Sequence, residues 1–328
     1  MTDFRHRMTR REALRRTFAF SAAASLGLIG RPVTAEHSQP GDLHFLAIGD
    51  YGSGAPAQKA VAAAMRKYVA QQQLCLSALL MLGDNIYGKL PGGTQSPVWT
   101  ERIESMYPVE AFPVPMVAVL GNHDYDDQVG KEAIELAYAR EHCGRRWCMP
   151  SKWYCWQPAS SCSQPLVSFL VIDSNFKNRV ASLTEYERHS QLCWLQGELQ
   201  RPAVARWQIV LGHHPLYSNG SHGDGLSLIK SVGPLLQQHC VPLYLCGHDH
   251  DLQHLEIDGL ATSFVLSGGG GARTRPMKIT GRGPYAQSVY GFTHLQVGCD
   301  RLCVRMIDAN GQQVHAFTRS LDGCIEVL

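Results

Sequence analysis

The sequence predicts an α/β fold in which sheet layers are covered by helices. Strand-like and helix-like segments alternate through the first two-thirds of the chain, and strand-like runs dominate the last third. Most of the metal-binding side chains picked out below sit beside a glycine just past an apolar strand-like run. Ligands of such folds bind outside the carboxyl ends of the strands, so residues far apart in sequence can converge there.

In chain order, Leu43–Ile48 reads as a buried strand ending at Gly49-Asp50. Ala57–Gln73 follows as a helix, with Val61, Ala64, Met65, Tyr68 and Val69 at helical spacing. Ala78–Leu82 is a strand ending at Gly83-Asp84, and Val114–Leu120 one ending at Gly121-Asn122-His123. Lys131–His142 reads as a helix and Val167–Ile172 as a strand. Thr184–Leu199 reads as a helix with Thr184 as N-cap and Glu187 three residues on, the pattern of a capping box. Gln208–Leu211 is a strand ending at Gly212-His213, Leu226–His239 a helix, and Leu243–Cys246 a strand ending at Gly247-His248-Asp249-His250. Ser263–Leu266, Phe292–Val297 and Leu302–Ile307 complete the strands. No internal repeat or second domain boundary is visible, so residues 36–328 read as one domain.

Residues 1–35 stand apart. Thr9-Arg10-Arg11-Glu12-Ala13-Leu14 resembles a twin-arginine export signal. An apolar stretch from Thr17 to Gly30 and a small-residue cleavage site at Val33-Thr34-Ala35 follow in the expected order. A periplasmic or secreted bacterial protein, carried by the twin-arginine machinery, is the expectation. Seven of the 30 basic and two of the 28 acidic residues lie in this segment, which leaves 23 against 26, a net charge of −3 in place of +2. The positive balance therefore belongs to the signal and is no sign of nucleic-acid binding. No apolar run reaches the length of a membrane span, so no stable span is expected in the mature chain.

All eleven cysteines follow the signal. Cys143, Cys148, Cys155 and Cys162 lack the paired spacing of a zinc ribbon, and in an exported chain one or two disulfides stapling a long loop are expected. Cys75, Cys193, Cys240 and Cys246 lie in apolar surroundings and read as buried small hydrophobes.

The glycine-flanked motifs carry the chemistry. Taken singly, each reads equally well as a turn or a cap; five in order at strand ends do not. Together they provide Asp50, Asp84, Tyr87, Asn122, His213, His248 and His250, enough for two adjacent metal ions. Asp84 is the candidate bridge, because a carboxylate offers an oxygen to each ion. Asp50 then serves one metal, Asn122 the other, and the histidines supply nitrogen. Such a mixed set suits iron, zinc or manganese better than calcium or magnesium. Phenolate at Tyr87 is a hard anion that favours ferric iron, and a strongly charged cation is what removes its proton. The chemistry implied is two-metal hydrolysis of a phosphate ester.

On these five motifs the chain resembles the purple acid phosphatases, in particular the small tartrate-resistant type, within the calcineurin-like metallophosphoesterase superfamily. The match runs roughly from Leu43 to Gly271 and includes Gly212-His213-His214-Pro215-Leu216-Tyr217-Ser218. The resemblance implies a two-sheet α-β-β-α sandwich with the metal site at the carboxyl ends of the strands. It implies Fe(III) on Asp50, Asp84, Tyr87 and His250, and a divalent metal (Fe(II), Zn or Mn) on Asp84, Asn122, His213 and His248. His123 and His222 match the outer histidines that contact phosphate and protonate the leaving group. The expected activity is acid hydrolysis of phosphate monoesters, with metal-bound hydroxide as nucleophile and a small phosphate ester as substrate. A phosphodiesterase on the same scaffold and a non-hydrolytic exported iron or redox protein are the alternative readings.

Tyr51 and Tyr125 depart from the family, which usually has Trp and His at those places. His214 adjoins a ligand without falling on a ligand position and stays outside the set. The Cys143–Cys162 stretch is elaborated, either as a rim on the cleft or as a tied surface loop. Gly268–Gly271 reads as a turn after a strand, with Arg273 and Arg275 as weaker candidates for substrate contact.

Overall fold

The computed structural model describes residues 41–328 other than 143–145, 160–163 and 202–204. The proposed signal, residues 1–35, lies outside the described residues, as do Cys143 and Cys162.

Two mixed sheets stack face to face. The first contains β1 (Leu43–Ile48), β2 (Leu76–Met81), β3 (Met116–Ala118), β4 (Trp147–Cys148), β12 (Gly291–Val297), β13 (Arg301–Asp308), β14 (Gln313–Ser320) and β15 (Ile325–Val327). Its order is β15-β14-β13-β12-β1-β2-β3-β4. The second contains β5 (Tyr154–Trp156), β6 (Val167–Val171), β7 (Trp207–Leu211), β8 (Leu243–Cys246), β9 (Leu252–Glu256), β10 (Ser263–Ser267) and β11 (Tyr285–Gln287), in the order β11-β9-β10-β8-β7-β6-β5. Strands β1 to β4 run parallel, as do β6, β7, β8 and β10. Their carboxyl ends open towards one another.

The layering follows from the two-residue period of a strand. On β1, Phe45 and Ala47 face the second sheet, where they meet Phe169, Ile209, Leu245 and Val265. Leu46 and Ile48 face the other way, onto α1 (Pro56–Gln72), through Val61, Met65 and Tyr68. The second sheet repeats this. Ile172, Val210, Tyr244 and Leu266 turn outward to α3 (Glu185–Gln200), α4 (Leu226–Ser231) and α5 (Gly233–Gln238). A fifth helix, α2 (Lys131–Glu141), covers the first sheet. The result is the α-β-β-α sandwich. No helix among the described residues is long and apolar enough to cross a membrane.

Several expectations need correction. The helix expected over Leu226–His239 breaks into α4 and α5, because Pro234 has no N–H to give and Gly233 precedes it. The strand expected over Val114–Leu120 keeps only Met116–Ala118, since Pro115 cannot donate to a ladder. Cys246 is buried, but Cys75, Cys193 and Cys240 are exposed. Each of these three lies in a connection or on the solvent side of a helix. Cys148 and Cys155 are free among the described residues, and the other two cysteines of that loop, Cys143 and Cys162, lie outside them.

Candidate metal centre

The five motifs meet at the seam between the sheets. Asp50 follows β1, Asp84 follows β2, and Asn122 lies just beyond β3; His213 follows β7, and His248 and His250 follow β8. Their side chains form two groups. Donor atoms of Asp50, Asp84 and His250 all lie within 4.8 Å of one another, as do those of His213, His214 and His248.

Tyr87 and Asn122 fill in each group. The Tyr87 hydroxyl lies 3.0 Å from Asp84 Oδ2 and 3.4 Å from both Asp50 Oδ1 and His250 Nε2. Asn122 Oδ1 lies 3.2 Å from His213 Nε2 and 2.9 Å from His248 Nδ1. Asp84 belongs to both sides, because its Oδ1 is also 3.4 Å from His213 Nε2. All seven expected ligands are thus brought together, with Asp84 in the middle.

The local backbone is shaped for this convergence. Five non-glycine residues among those described have positive φ, and three of them are Asp50 (57°), Asp84 (53°) and His248 (72°). Such conformations cost of order 1–3 kcal/mol each and persist where the surroundings enforce them. The neighbouring glycines give the required closeness. A Cβ on Gly83 would stand 2.5 Å from His213 Nδ1, and one on Gly247 would stand 2.6 Å from Asp50 Oδ2. Gly247 is also where the two sheets touch, against Gly49.

Burial and the cluster's own charges set the protonation of its members. Burial pushes the Asp84 carboxyl up, but the charges of His213 and His123, with hydrogen bonds from the His123 N–H and Tyr87, bring it below its ordinary value. Burial, followed by the charges of Asp84 and Asp50, raises the Tyr87 phenol well above its ordinary 10.0. The chain alone therefore keeps Tyr87 protonated, and ligation through that oxygen requires a strong cation. Burial lowers His248 well below 6.5, which leaves it neutral and able to bind metal. Burial also lowers His250, but the bond to Asp50 and its charge dominate and carry it up to about 9. Two buried carboxylates, a phenol, an amide oxygen and three imidazoles in this arrangement fit a pair of hard-to-borderline cations.

The two outer histidines stand at opposite ends. His123 lies over Tyr87, with ring centroids 4.4 Å apart, and its Nδ1 is 3.0 Å from Asp127. His222 lies over His248 at 4.2 Å, and its Nδ1 is 2.8 Å from Asp249 Oδ1. Each Asp orients its imidazole and leaves Nε2 free of the carboxylate. Neither Asp was singled out in the sequence, although Asp249 sits inside Gly-His-Asp-His and Asp127 lies four residues beyond His123 on the following helical turn.

His214, left out of the set above, is close to it. Its ring is 4.3 Å from that of His248. Ser174 Oγ accepts the N–H groups of both His213 and His214, and its own proton goes to His214 Nδ1, 2.9 Å away. That fixes the His214 proton on Nε2, so it lines the cluster as a donor rather than a ligand.

Two sheets of this topology with a double donor set at the strand ends define a metallophosphoesterase. The chain belongs to the calcineurin-like phosphoesterase family, whose pattern matches residues 41–252. It is 28% identical to rat tartrate-resistant acid phosphatase type 5 over 86% of this chain and 92% of that protein. Purple acid phosphatase 7 of Arabidopsis thaliana is 30% identical over 77% of each chain. Among solved structures it is similar to GAP50, the anchor in the inner membrane complex of Plasmodium (TM-score 0.70, 22% identity, 84% of this chain and 87% of that one). This last likeness concerns the fold alone.

Proposed function

We propose that the protein is an acid phosphatase that converts a phosphate monoester and water into an alcohol and phosphate. Fe(III) would be held by Asp50, Asp84, Tyr87 and His250, and a divalent metal (Fe(II), Zn or Mn) by Asp84, Asn122, His213 and His248. The observation that carries this is the Tyr87 hydroxyl placed among Asp50, Asp84 and His250, all within 3.4 Å. When bound, the two cations supply Lewis acidity, which lowers the pKa of water in the site and offsets charge on the phosphoryl oxygens.

The chain's own residues do the rest. His123 and His222 flank the ligand cluster and contact the phosphoryl group from either side. One of them protonates the departing alkoxide through Nε2 as the ester P–O bond breaks. The carboxylates of Asp127 and Asp249 hold the two rings by Nδ1 and stabilise the charge each ring carries before it gives up the proton.

The test compares hydrolysis of an aryl phosphate monoester with the matching diester by protein carrying its native metals at mildly acidic pH. A strong monoester preference supports the assignment. Equal or faster diester cleavage turns it into a phosphodiesterase, and metal binding without either reaction leaves a non-hydrolytic protein.

Export by the twin-arginine route belongs to the same proposal and is supported by Thr9–Leu14 and the apolar stretch behind it. The expected mature chain starts at or near Glu36 and is found outside the cytoplasm. An intact cytoplasmic product would remove this part and leave the hydrolase assignment standing.

A further inference from the structure

Arg275 stands at the rim of the site. Its Nη1 lies against the His222 ring, 2.9 Å from Nε2 and 3.4 Å from Nδ1, and reaches Ser221 Oγ at 3.5 Å. No carboxylate pairs with it among the described residues, whereas Arg282 has Asp224 and Arg146 has Glu104. A guanidinium is permanently charged and shaped to grip an oxyanion. Here it lies against an imidazole instead.

The position is fixed, not incidental. The loop that carries Arg275 is tied to two expected ligands: the Ala272 N–H donates to Asp50 O at 2.9 Å, and His250 Nδ1 donates to Arg273 O at 2.7 Å. Ser53 adds a bond to Gly271 O. The guanidinium is therefore held in register with the donor cluster. Moving outward, the order is His248, then His222 stacked on it, then Arg275.

The bond to His222 is informative. Asp249 Oδ1 accepts from the His222 N–H and from Ser221, and Asp249 Oδ2 accepts from Ser218. A carboxylate that accepts from so many donors also accepts the His222 Nδ1–H, which fixes the ring and turns Nε2 away from Asp249. Arg275 lies against that Nε2, the atom that serves the leaving group in the reaction above.

We propose that Arg275 binds a second anionic group on the alcohol side of the substrate, so that the enzyme selects phosphate monoesters whose leaving group carries a carboxylate or a further phosphate. This rests on the monoesterase assignment. With the reacting phosphoryl group at the donor cluster and the leaving oxygen at His222, the next group out meets Arg275. An oxyanion is a far stronger partner for guanidinium than an imidazole ring. It draws Arg275 off His222 Nε2 and uncovers that atom.

The test measures binding to the metal-loaded protein by calorimetry with two non-hydrolysable ligands of equal length, propylphosphonate and 2-carboxyethylphosphonate. We expect the carboxylated ligand to bind about tenfold more tightly, the scale of one charge-assisted contact. In Arg275→Gln that ratio falls to about one, and in Arg275→Lys it is partly restored. A ratio near one in the unaltered protein, or a ratio that survives Arg275→Gln, overturns the proposal. Failure of both phosphonates to bind overturns the monoesterase assignment itself, and the Arg275 proposal with it.

Discussion

Replacing Gly83 with alanine should disrupt the second metal position while leaving most of the fold in place. Gly83 has φ +89°, and the added methyl would stand 2.5 Å from His213 Nδ1 and 2.9 Å from its Cβ. The ring cannot retreat freely, because it is buried and its Nδ1 is bonded to Leu82 O at 2.8 Å. The backbone strain costs about 1–3 kcal/mol. Overpacking adds a further ~1–3 kcal/mol. Loss of the hydrogen bond that sets the His213 tautomer adds about 1 kcal/mol. A destabilisation of roughly 3–7 kcal/mol follows, and metal affinity should fall by about 10- to 100-fold, as when an orienting bond is lost. Gly88→Ala is the matched control: its φ is +78°, but nothing lies within 4 Å of the new methyl, so it bears backbone strain alone. Urea unfolding gives the stability of each variant, and elemental analysis after dialysis gives metal per chain. If Gly83→Ala kept full metal content and unfolded with Gly88→Ala, the argument that close packing at Gly83 positions His213 would be refuted.

Three further outcomes are expected. Tyr87→Phe should fold normally, because the ring is retained, yet lose the visible charge-transfer band of the isolated protein; an unchanged band would remove Tyr87 from the ferric ligands. Asp249→Asn should slow monoester hydrolysis by about 10²-fold or more, the range of general acid–base assistance, by weakening the grip on His222 Nδ1; a rate within threefold of the parent would mean that His222 needs no partner. Asp173 is raised from 3.8 to about 6 by burial, against bonds from Tyr125 and Asn175. Its folded form binds the proton more tightly, so its contribution to stability is present below about pH 4 and is lost as pH rises through about 6, worth roughly 3 kcal/mol. Asp173→Asn should therefore flatten the stability profile between those limits, and an unaltered profile would show that Asp173 does not titrate there.

The parts of the fold that were legible in the sequence are those whose cause is local. Leu43–Ile48 and Leu243–Cys246 are strands to the residue, because each is an apolar run closed by a glycine turn. Thr184 makes the reciprocal capping bonds with Glu187 that the four-residue pattern implies. Most of the ligands were legible for the same reason: they sit just after an apolar strand, and Tyr87 follows Asp84 by three residues. What escaped depends on partners far along the chain. The short strands β4, β5 and β11 exist because neighbouring strands lend them a ladder. β9 holds buried Gln253 and His254, whose polar side chains hide its strand character. Arg275 carries only a weak local signal, its place after the Gly268–Gly271 turn, because its position is set by the bonds that tie Ala272 to Asp50 and Arg273 to His250.

The order in which the strands enter the first sheet has a consequence for biosynthesis. β1, at whose end Asp50 lies, is flanked on one side by β2, and on the other by β12, with Leu43 opposite Val297. The whole second sheet is made between those two strands. A nascent chain therefore holds β1 as an unpaired edge until nearly all of it has left the ribosome, and such long-range pairing is slow to form. A truncated or stalled product that lacks β12 leaves the backbone of β1, and with it the strand that carries Asp50, open on that side.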